Sequence, residues 1–308
     1  MKTKYKFIIL ALLALDFALI LSILIGNNPI SVLDPKGLIA AQQKSLFVNA
    51  ILLMLIVVVP VFLFAIYVVM NYREGNTKSK YTPDWDHDIK IQLAWWALPT
   101  TIIFILCIIM WNATFKWEPH SPIQSDKKEM TIQVVALRWK WLFIYPEQGI
   151  ATVNYITIPE KTPIKFVLTA DEAPMNSFWV PRLGGQLYAM SGMVNRLNLI
   201  ADETGVYYGS NAEISGKGFA GMRFTVKSVS QNDFDTWITS IKQSSKALTR
   251  EEYKVLTQPT EDNPPVFYSS TADNLFSTII MKYQAPANGG GHKMPTSEAM
   301  PGKHGMEH

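Results

Sequence analysis

Residues 47–70 read FVNAILLMLIVVVPVFLFAIYVVM and contain no charged side chain. At about 1.5 Å per helical residue, this run is long enough to cross a hydrocarbon core of about 30 Å. A second uncharged run, at 93–111, predicts a second span. Each run contains one proline, Pro60 and Pro99, which membrane helices tolerate where neighbours satisfy the freed carbonyl. The sequence therefore predicts a transmembrane helical hairpin within residues 27–116.

The segment that precedes this hairpin, residues 1–26, has two interpretations. Lysines at positions 2, 4 and 6 come before an apolar run at 7–25, which fits a secretory signal or a third membrane helix. Asp16 disfavours a span, because an ionised carboxylate at mid-bilayer costs about 2.5–3.5 kcal/mol. The length of the run favours a retained helix with Asp16 facing protein.

Charge predicts the orientation of the hairpin. The loop at 71–90 carries Arg73, Lys78, Lys80 and Lys90, whereas residues 27–45 carry only Lys36 and Lys44. Positively charged loops stay in the cytoplasm. We therefore expect the loop at 71–90 inside and everything after residue 117 outside the cytoplasm.

The apolar period changes to two from residue 130 onward. Apolar and polar residues alternate at 131–136, 164–169 and 222–227, which predicts strands with one solvent-exposed face. Turn residues at 146–149, 159–163, 183–185 and 203–205 separate them. Residues 117–230 are thus predicted to form an extracytoplasmic antiparallel β-sandwich or barrel.

Helical spacing returns after residue 230 and predicts a helical region at 231–283 that packs on the sandwich. The first helix has an apolar stripe at Phe234, Trp237, Ile238 and Ile241, with Asn232 or Asp233 as its cap. A capping-box pattern at 249–252 opens a second helix, and a third is predicted at 273–283. Residues 284–308 have no apolar period and are predicted to be disordered.

Cysteine and histidine are scarce in this chain. Its one cysteine is Cys107, and its five histidines are His87, His120, His292, His304 and His308. Residues 121–291 therefore supply neither thiolate nor imidazole, the donors that soft transition metals require. We expect the outer domain to bind no metal and to contain no disulfide. The net charge of +3 gives no indication of nucleic-acid binding.

Four long motifs carry a resemblance to a known family. They are LDPKG at 33–37, WKWLFIYPEQGIATVN at 139–154, MNSFWVPRLGGQLYAMSGM at 175–193 and SGKGFAGMRF at 215–224. From near residue 33 to about 283 the chain resembles subunit II of the bo-type ubiquinol oxidases. The resemblance implies two core membrane helices and a cupredoxin-type β-sandwich with C-terminal helices.

The resemblance also implies a function. Such a complex lies in the bacterial inner membrane, oxidises ubiquinol, reduces dioxygen to water and pumps protons. Its haems and copper belong to subunit I, which also receives the quinol. This chain would then hold no cofactor and no catalytic residue, and would contact subunits I, III and IV and membrane lipid.

The same resemblance identifies positions that bind copper in other haem–copper oxidases. There, subunit II supplies two cysteines four residues apart, a histidine four further and a methionine three beyond, plus a more distant histidine. The corresponding residues here are Asn211, Ser215, Phe219 and Met222, with Asn176 at the distant position. Glu213 remains within the loop. Amides, an alcohol and a phenyl ring cannot hold a redox-active copper centre.

A proton-channel entrance is implied at the start of the second core helix, where the family has a glutamate. This chain has Gln92 there, which cannot ionise. Asp88 lies one helical turn earlier, on the same face. We hypothesise that Asp88 collects protons in its place; the alternative is an ordinary solvated loop residue.

Aromatic residues follow one another closely in the motif at 139–154. In copper-bearing relatives the corresponding segment lies between the copper centre and subunit I. We expect Trp139, Trp141 and Tyr145 to pack at the interface with subunit I, because Trp and Tyr are favoured at such surfaces. Electron transfer through these rings is the disfavoured alternative.

Three competing functions remain for the whole chain. A cytochrome c oxidase subunit is disfavoured by the missing cysteines and histidines. A membrane-tethered sandwich that binds a partner outside any respiratory complex is disfavoured by the long motifs. A menaquinol-using relative is left open, because the quinol pocket would lie in another chain.

Overall fold

The structure is a computed structural model that describes residues 30–73, 76, 87–116, 118–119 and 121–284. The predictions for residues 1–26, including Asp16, lie outside the described residues. The same is true of the tail from residue 285 and of most of the loop at 71–90.

The two predicted spans are parts of longer helices. α1 runs over Leu38–Asn71 and α2 over Ile89–Lys116. Both are long and apolar enough to cross a membrane. They extend beyond 47–70 and 93–111 because backbone hydrogen bonding continues where the apolar run ends. Pro60 and Pro99 lie inside them.

Eleven strands follow within residues 121–284, arranged in two sheets. They are β1 Met130–Leu137, β2 Lys140–Tyr145, β3 Ile150–Val153, β4 Tyr155–Pro159, β5 Ile164–Ala170, β6 Asn176–Trp179, β7 Leu187–Ala189, β8 Asn195–Leu199, β9 Gly205–Asn211, β10 Arg223–Val229 and β11 Val266–Tyr268. The first sheet has the order β11-β3-β2-β1-β5-β8, and the second has β4-β10-β9-β6-β7. The fold is a two-layer sandwich of the cupredoxin type.

The predicted sandwich is confirmed, but its strands are not all antiparallel as expected. β1 pairs with β5 in parallel, and β4 pairs with β10 in parallel. Turn residues show where a strand ends, but they do not show which strand becomes its neighbour. Both parallel pairs join strands that are separated in sequence by other strands.

The inner core follows the predicted alternation. Ile132, Val134, Phe166 and Val226 are all fully buried between the sheets. Phe178 and Phe224 stack across the core with ring centroids 5.0 Å apart. Burial of such side chains stabilises the fold by roughly 1.5–3 kcal/mol each.

The prediction that each strand has one solvent-exposed face is wrong for the first sheet. Val135, Leu137, Leu142 and Ile144 point away from the inner core and are nevertheless buried. They form a second apolar cluster with Tyr253, Tyr268, Leu275, Phe276 and Ile279 of the C-terminal region. The sandwich therefore has a third layer over part of one sheet.

The C-terminal region contains three helices, α3 Gln231–Lys242, α4 Arg250–Leu256 and α5 Leu275–Gln284. Ser230, rather than the predicted Asn232 or Asp233, caps α3, because its side chain accepts the Asp233 N–H. The predicted cap of α4 is confirmed, since Thr249 accepts the Glu252 N–H. Strand β11 lies between α4 and α5 and is not predicted from the sequence.

Candidate functional site

The loop that joins β9 to β10 is closed at its base by backbone bonds. The Asn211 N–H donates to Met222 O at 3.1 Å, so the last residue of β9 faces the residue before β10. A short 3₁₀ turn at Phe219–Gly221 precedes Met222, whose N–H donates to Phe219 O at 3.1 Å. This closure brings together Asn211 and Met222, the first and last loop positions that the resemblance aligned with copper ligands.

Asn211 lies at the centre of a buried hydrogen-bond network. Its Nδ2 lies 2.6 Å from Asn176 Oδ1 and 2.9 Å from Ser215 Oγ, and donates more weakly to Met222 Sδ at 3.6 Å. Its Oδ1 accepts the N–H of Ser177 at 2.7 Å and of Glu213 at 3.1 Å. The structure thus brings together four of the positions that the resemblance aligned with copper ligands.

Burial makes this network costly to break. Asn176, Asn211 and Met222 are 4% exposed or less, and Ser215 is 9% exposed. The Asn176 Nδ2 donates to Pro174 O at 2.7 Å, so its amide is paired at both ends. Buried polar groups in proteins are hydrogen-bonded, because an unpaired one costs about 1–3 kcal/mol.

The two remaining positions of the loop stand apart from the network. Phe219 begins the 3₁₀ turn, is half-buried, and has no polar atom in its side chain. Glu213 is half-buried and contributes its backbone N–H, not its carboxylate, to the Asn211 amide. Neither side chain adds a polar or metal-binding atom to the network around Asn211.

These residues do not fit a dinuclear copper centre. Two amides, one alcohol and one phenyl ring replace the thiolates and imidazoles that copper requires, and only the thioether of Met222 is retained. The central group, the Asn211 amide, is itself a hydrogen-bond donor toward the positions around it. Within the described parts of the chain, no group of three or more His, Cys, Asp or Glu side chains is placed to hold a metal ion.

Trp139 lies against the outside of the loop. Its backbone has a positive φ of 62° between β1 and β2, and its side chain is half-buried. The Nε1 donates to Ser215 O at 3.2 Å. A β-carbon at Gly218 would lie 2.5 Å from the indole Cγ, so only glycine permits this contact. The indole therefore supports the loop from the β1–β2 turn.

The prediction that Trp141 and Tyr145 lie at an interface with subunit I is wrong. Both are fully buried inside the sandwich, where no other chain can contact them. Trp141 packs edge-on against Phe178 at 5.5 Å. The Tyr145 hydroxyl donates to Thr157 O and accepts the Thr157 N–H, both at 3.0 Å, and burial raises its pKa. Of the three aromatics, only Trp139 reaches the surface.

Asp88 and Gln92 lie on the first turn of α2, at the opposite end of that helix from the sandwich. The Asp88 Oδ1 accepts the N–H of Lys90 at 2.9 Å and of Ile91 at 3.3 Å, so the carboxylate caps the helix. The Gln92 N–H donates to Asp88 O at 3.0 Å, and its side chain is exposed. Capping is by itself a sufficient reason for an acid at position 88.

Asp171 is a buried acid that no sequence motif indicated. Asp171, only 2% exposed, accepts the hydroxyls of Tyr253 and Tyr283, each at 2.6 Å. The Lys282 Nζ donates to Oδ1, the oxygen that also accepts the Tyr283 hydroxyl, at 2.9 Å. Asp171 thereby fastens α4 and α5 to the end of β5. The one sequence signal for a buried Asp171 is that this acid directly follows an apolar strand, β5.

Lys140 is a second buried ionisable residue in the sandwich. It is 3% exposed, and its Nζ donates to Gln258 O at 2.9 Å and to Thr260 Oγ1 at 2.6 Å. Burial lowers the pKa of this amine. Lys140 therefore ties the β1–β2 turn to the segment that follows α4.

Comparison with known proteins identifies the family to which this chain is similar. Residues 147–229 match the family described as cytochrome c oxidase subunit II, periplasmic domain, and residues 242–287 match the COX aromatic rich motif. The chain is 48% identical over 259 residues to the cytochrome bo(3) ubiquinol oxidase subunit 2 of Pseudomonas putida, covering 84% of this chain and 82% of that protein.

Two further relatives of this chain are also subunit 2 of ubiquinol oxidases. Identity is 43% over 273 residues to the cytochrome bo(3) ubiquinol oxidase subunit 2 of Pseudomonas aeruginosa, covering 88% of this chain and 82% of the relative. It is 41% over 264 residues to the ubiquinol oxidase subunit 2 of Acetobacter aceti, covering 85% of each chain.

Fold and site together define a class: a membrane-anchored cupredoxin-type domain whose copper loop is closed by hydrogen bonds instead of metal ligands. Within that class, the chain belongs to the subunit II family of the quinol oxidases, a branch of the haem–copper oxidases. Membership of this family and the two apolar helices make it an inner-membrane protein.

Proposed function

We propose that this chain is the non-catalytic subunit II of a respiratory complex that oxidises ubiquinol, reduces dioxygen to water and pumps protons. The observation that carries the proposal is the Asn211 amide, bonded to Asn176 and Ser215 where copper-bearing relatives have ligands. A lipid-soluble donor delivers its electrons inside the membrane. An outer relay is then unnecessary, and the loop can lose its metal without loss of function.

The partner that this proposal requires is subunit I, which would hold the haems and the copper and receive the quinol. α1 and α2 carry exposed apolar side chains along their length, including Phe62 and Trp96. Such surfaces are stable only against lipid or other membrane helices. Subunits III and IV and membrane lipid are the further partners, with the sandwich on the periplasmic side.

Purification from detergent followed by oxygen uptake tests the proposal. A haem-bearing subunit is expected to co-purify with this chain, and the complex is expected to consume oxygen with ubiquinol. Rapid uptake with reduced cytochrome c alone would contradict it. Preference for menaquinol would support the menaquinol-using relative, and isolation of the chain without haem would support the tethered sandwich that acts outside a respiratory complex.

We also propose that Asp88 and Gln92 lie at a proton entrance to the complex. The Asp88 carboxylate is the acidic group that caps the first turn of α2, and Gln92 follows it by one turn. Asp88→Asn is a sharp test, because asparagine also caps helices and removes only the charge. Turnover of the complex at alkaline pH is expected to fall, and Gln92→Glu is expected to restore it. Turnover equal to that of the unmodified complex excludes the role.

A further inference from the structure

The segment before α1 is hydrogen-bonded to the sandwich, although more than a hundred residues separate the two in sequence. The Lys36 N–H donates to Arg182 O at 2.7 Å, and Lys36 O accepts the Asp202 N–H at 2.9 Å. The first turn of α1 adds a third bond, from the Ala40 N–H to Leu183 O at 3.2 Å. The outer end of α1 is thus attached directly to two loops of the sandwich.

Close contact accompanies these bonds. A β-carbon at Gly37 would lie 2.2 Å from Ile200 O, a backbone atom that cannot move aside. Gly37 has an extended backbone with φ −145°, so its lack of a side chain is needed for this approach and not for its conformation. Ala40, one turn into the helix, is 4% exposed.

Ion pairs surround the same contact. Asp34 pairs with Arg182 at 3.3 Å, and Lys36 pairs with Glu203 at 2.9 Å and with Asp34 at 3.6 Å. The hydrogen bond that Lys36 donates to Glu203 and the charge of Asp34 raise the pKa of Lys36. These side chains are a quarter or more exposed, so each pair contributes little to stability. Their effect is to fix the orientation of the contact.

The segment after α2 is attached to the same part of the sandwich. Asn198, in β8, donates from its backbone N–H and from its Nδ2 to Pro119 O, both at 3.2 Å. The Nδ2 also donates to Ser121 O at 3.0 Å, and the residue is 4% exposed. β8 is an edge strand of the first sheet, and Ile200 and Asp202 follow it directly.

We propose that β8, together with residues 182–185 and 200–203, is a rigid junction that holds the outer ends of both membrane helices. We call this set the β8 junction. Through it the sandwich, with the loop at 211–222, has a single position above α1 and α2. The partner that this fixed surface fits is the haem-bearing membrane subunit of the proposed complex. The inference therefore rests on the proposed function.

Two substitutions test whether the junction stays closed in the working complex. A β-carbon at Gly184 would lie 3.5 Å from Ile39 Cβ, within the range of about 3.5–4.5 Å that disulfides adopt. Its closest contact is the end of the flexible Leu199 side chain at 2.5 Å, which can move aside. In a Cys107→Ser background, Ile39→Cys with Gly184→Cys should crosslink completely in the purified complex. Oxidised and reduced complexes should turn over ubiquinol at the same rate.

A second pair of variants opens the junction from each side. Gly37→Val forces a side chain against Ile200 O. Asn198→Asp removes the Nδ2 donor to Pro119 O and Ser121 O and leaves the backbone bond to Pro119 O in place. Leu38→Ala and Asn232→Asp are the controls, because the first is on the neighbouring, 40% exposed residue and the second is the same change at an exposed position of α3, outside the junction. Each test variant should lose haem-bearing subunit from the purified chain, and the controls should retain it.

The outcomes separate this inference from the proposed function. An absent crosslink, or a crosslink that stops turnover, overturns the rigid junction. So does full retention of the haem-bearing subunit by both Gly37→Val and Asn198→Asp. If Gly37→Val fails to accumulate, Asn198→Asp and the crosslink still decide the question. Failure of the proposed function is recognised independently, because the unmodified chain would then purify without any haem-bearing subunit.

Discussion

Asn211 donates from its Nδ2 to Asn176 Oδ1 across 2.6 Å, and this bond joins the end of β9 to the start of β6. In a copper-bearing relative, metal ligands would occupy these two positions. Here a pair of neutral amides closes the loop. The hydrogen bonds maintain the shape of the loop without any redox chemistry.

Asn211→Ala is expected to destabilise the protein markedly. It leaves the N–H groups of Ser177 and Glu213 without their acceptor, and each unpaired buried group costs about 1–3 kcal/mol. Urea denaturation of the detergent-solubilised chain, followed by tryptophan fluorescence, measures the loss. Asn232→Ala changes an exposed asparagine and should be neutral. Equal midpoints for the two variants would contradict this account of the loop.

Gly218→Ala is expected to displace the indole of Trp139. The added carbon would lie 2.5 Å from Cγ and 2.9 Å from Cβ of that residue, and neither atom is at a flexible end. We expect about 1–3 kcal/mol of destabilisation, as for other overpacked sites. In a Trp139→Ala background the same change should cost much less. Additive effects of the two substitutions would show that they do not interact.

Asp171→Asn is expected to loosen α4 and α5 without unfolding the inner core. An amide cannot accept the two tyrosine hydroxyls and the Lys282 ammonium as the carboxylate does, and charge-assisted bonds are the stronger kind. Amide hydrogen exchange should accelerate in residues 250–256 and 275–284 while β1 and β5 stay protected. Asp126→Asn, the same change at an exposed position before β1, is the control. Uniform acceleration across the sandwich would contradict a local role.

Alkaline pH is expected to weaken the C-terminal layer. Burial, and then the Glu252 carboxylate, raises the pKa of Tyr268 to about 12, above the ordinary phenol value of about 10. A raised tyrosine pKa stabilises the fold fully below pH 10. That contribution is lost as the pH rises through 10 toward 12. Unfolding free energies measured across this window should fall less steeply for Tyr268→Phe than for the exposed Tyr208→Phe; equal slopes would exclude Tyr268 as the cause.

Local patterns determined much of the architecture. Uncharged runs indicated both membrane helices, and alternation indicated β1, β5 and β10, because these signals depend on neighbouring residues only. The missing thiolates and imidazoles determined the chemistry of the outer domain, since no fold can supply a donor that the chain lacks. The sequence also indicated the cap of α4, a contact between residues three apart.

Long-range contacts were decided by the tertiary structure alone. The sequence placed Trp141 and Tyr145 at an interface, but the pairing of β2 with β1 and β3 turns both into the core. It gave no indication that Asp171 would meet Tyr253 and Tyr283, or that Asn198 would hold the segment after α2. Such contacts join residues far apart in the chain. Their existence depends on how the sheets and helices pack together, and no local pattern encodes that packing.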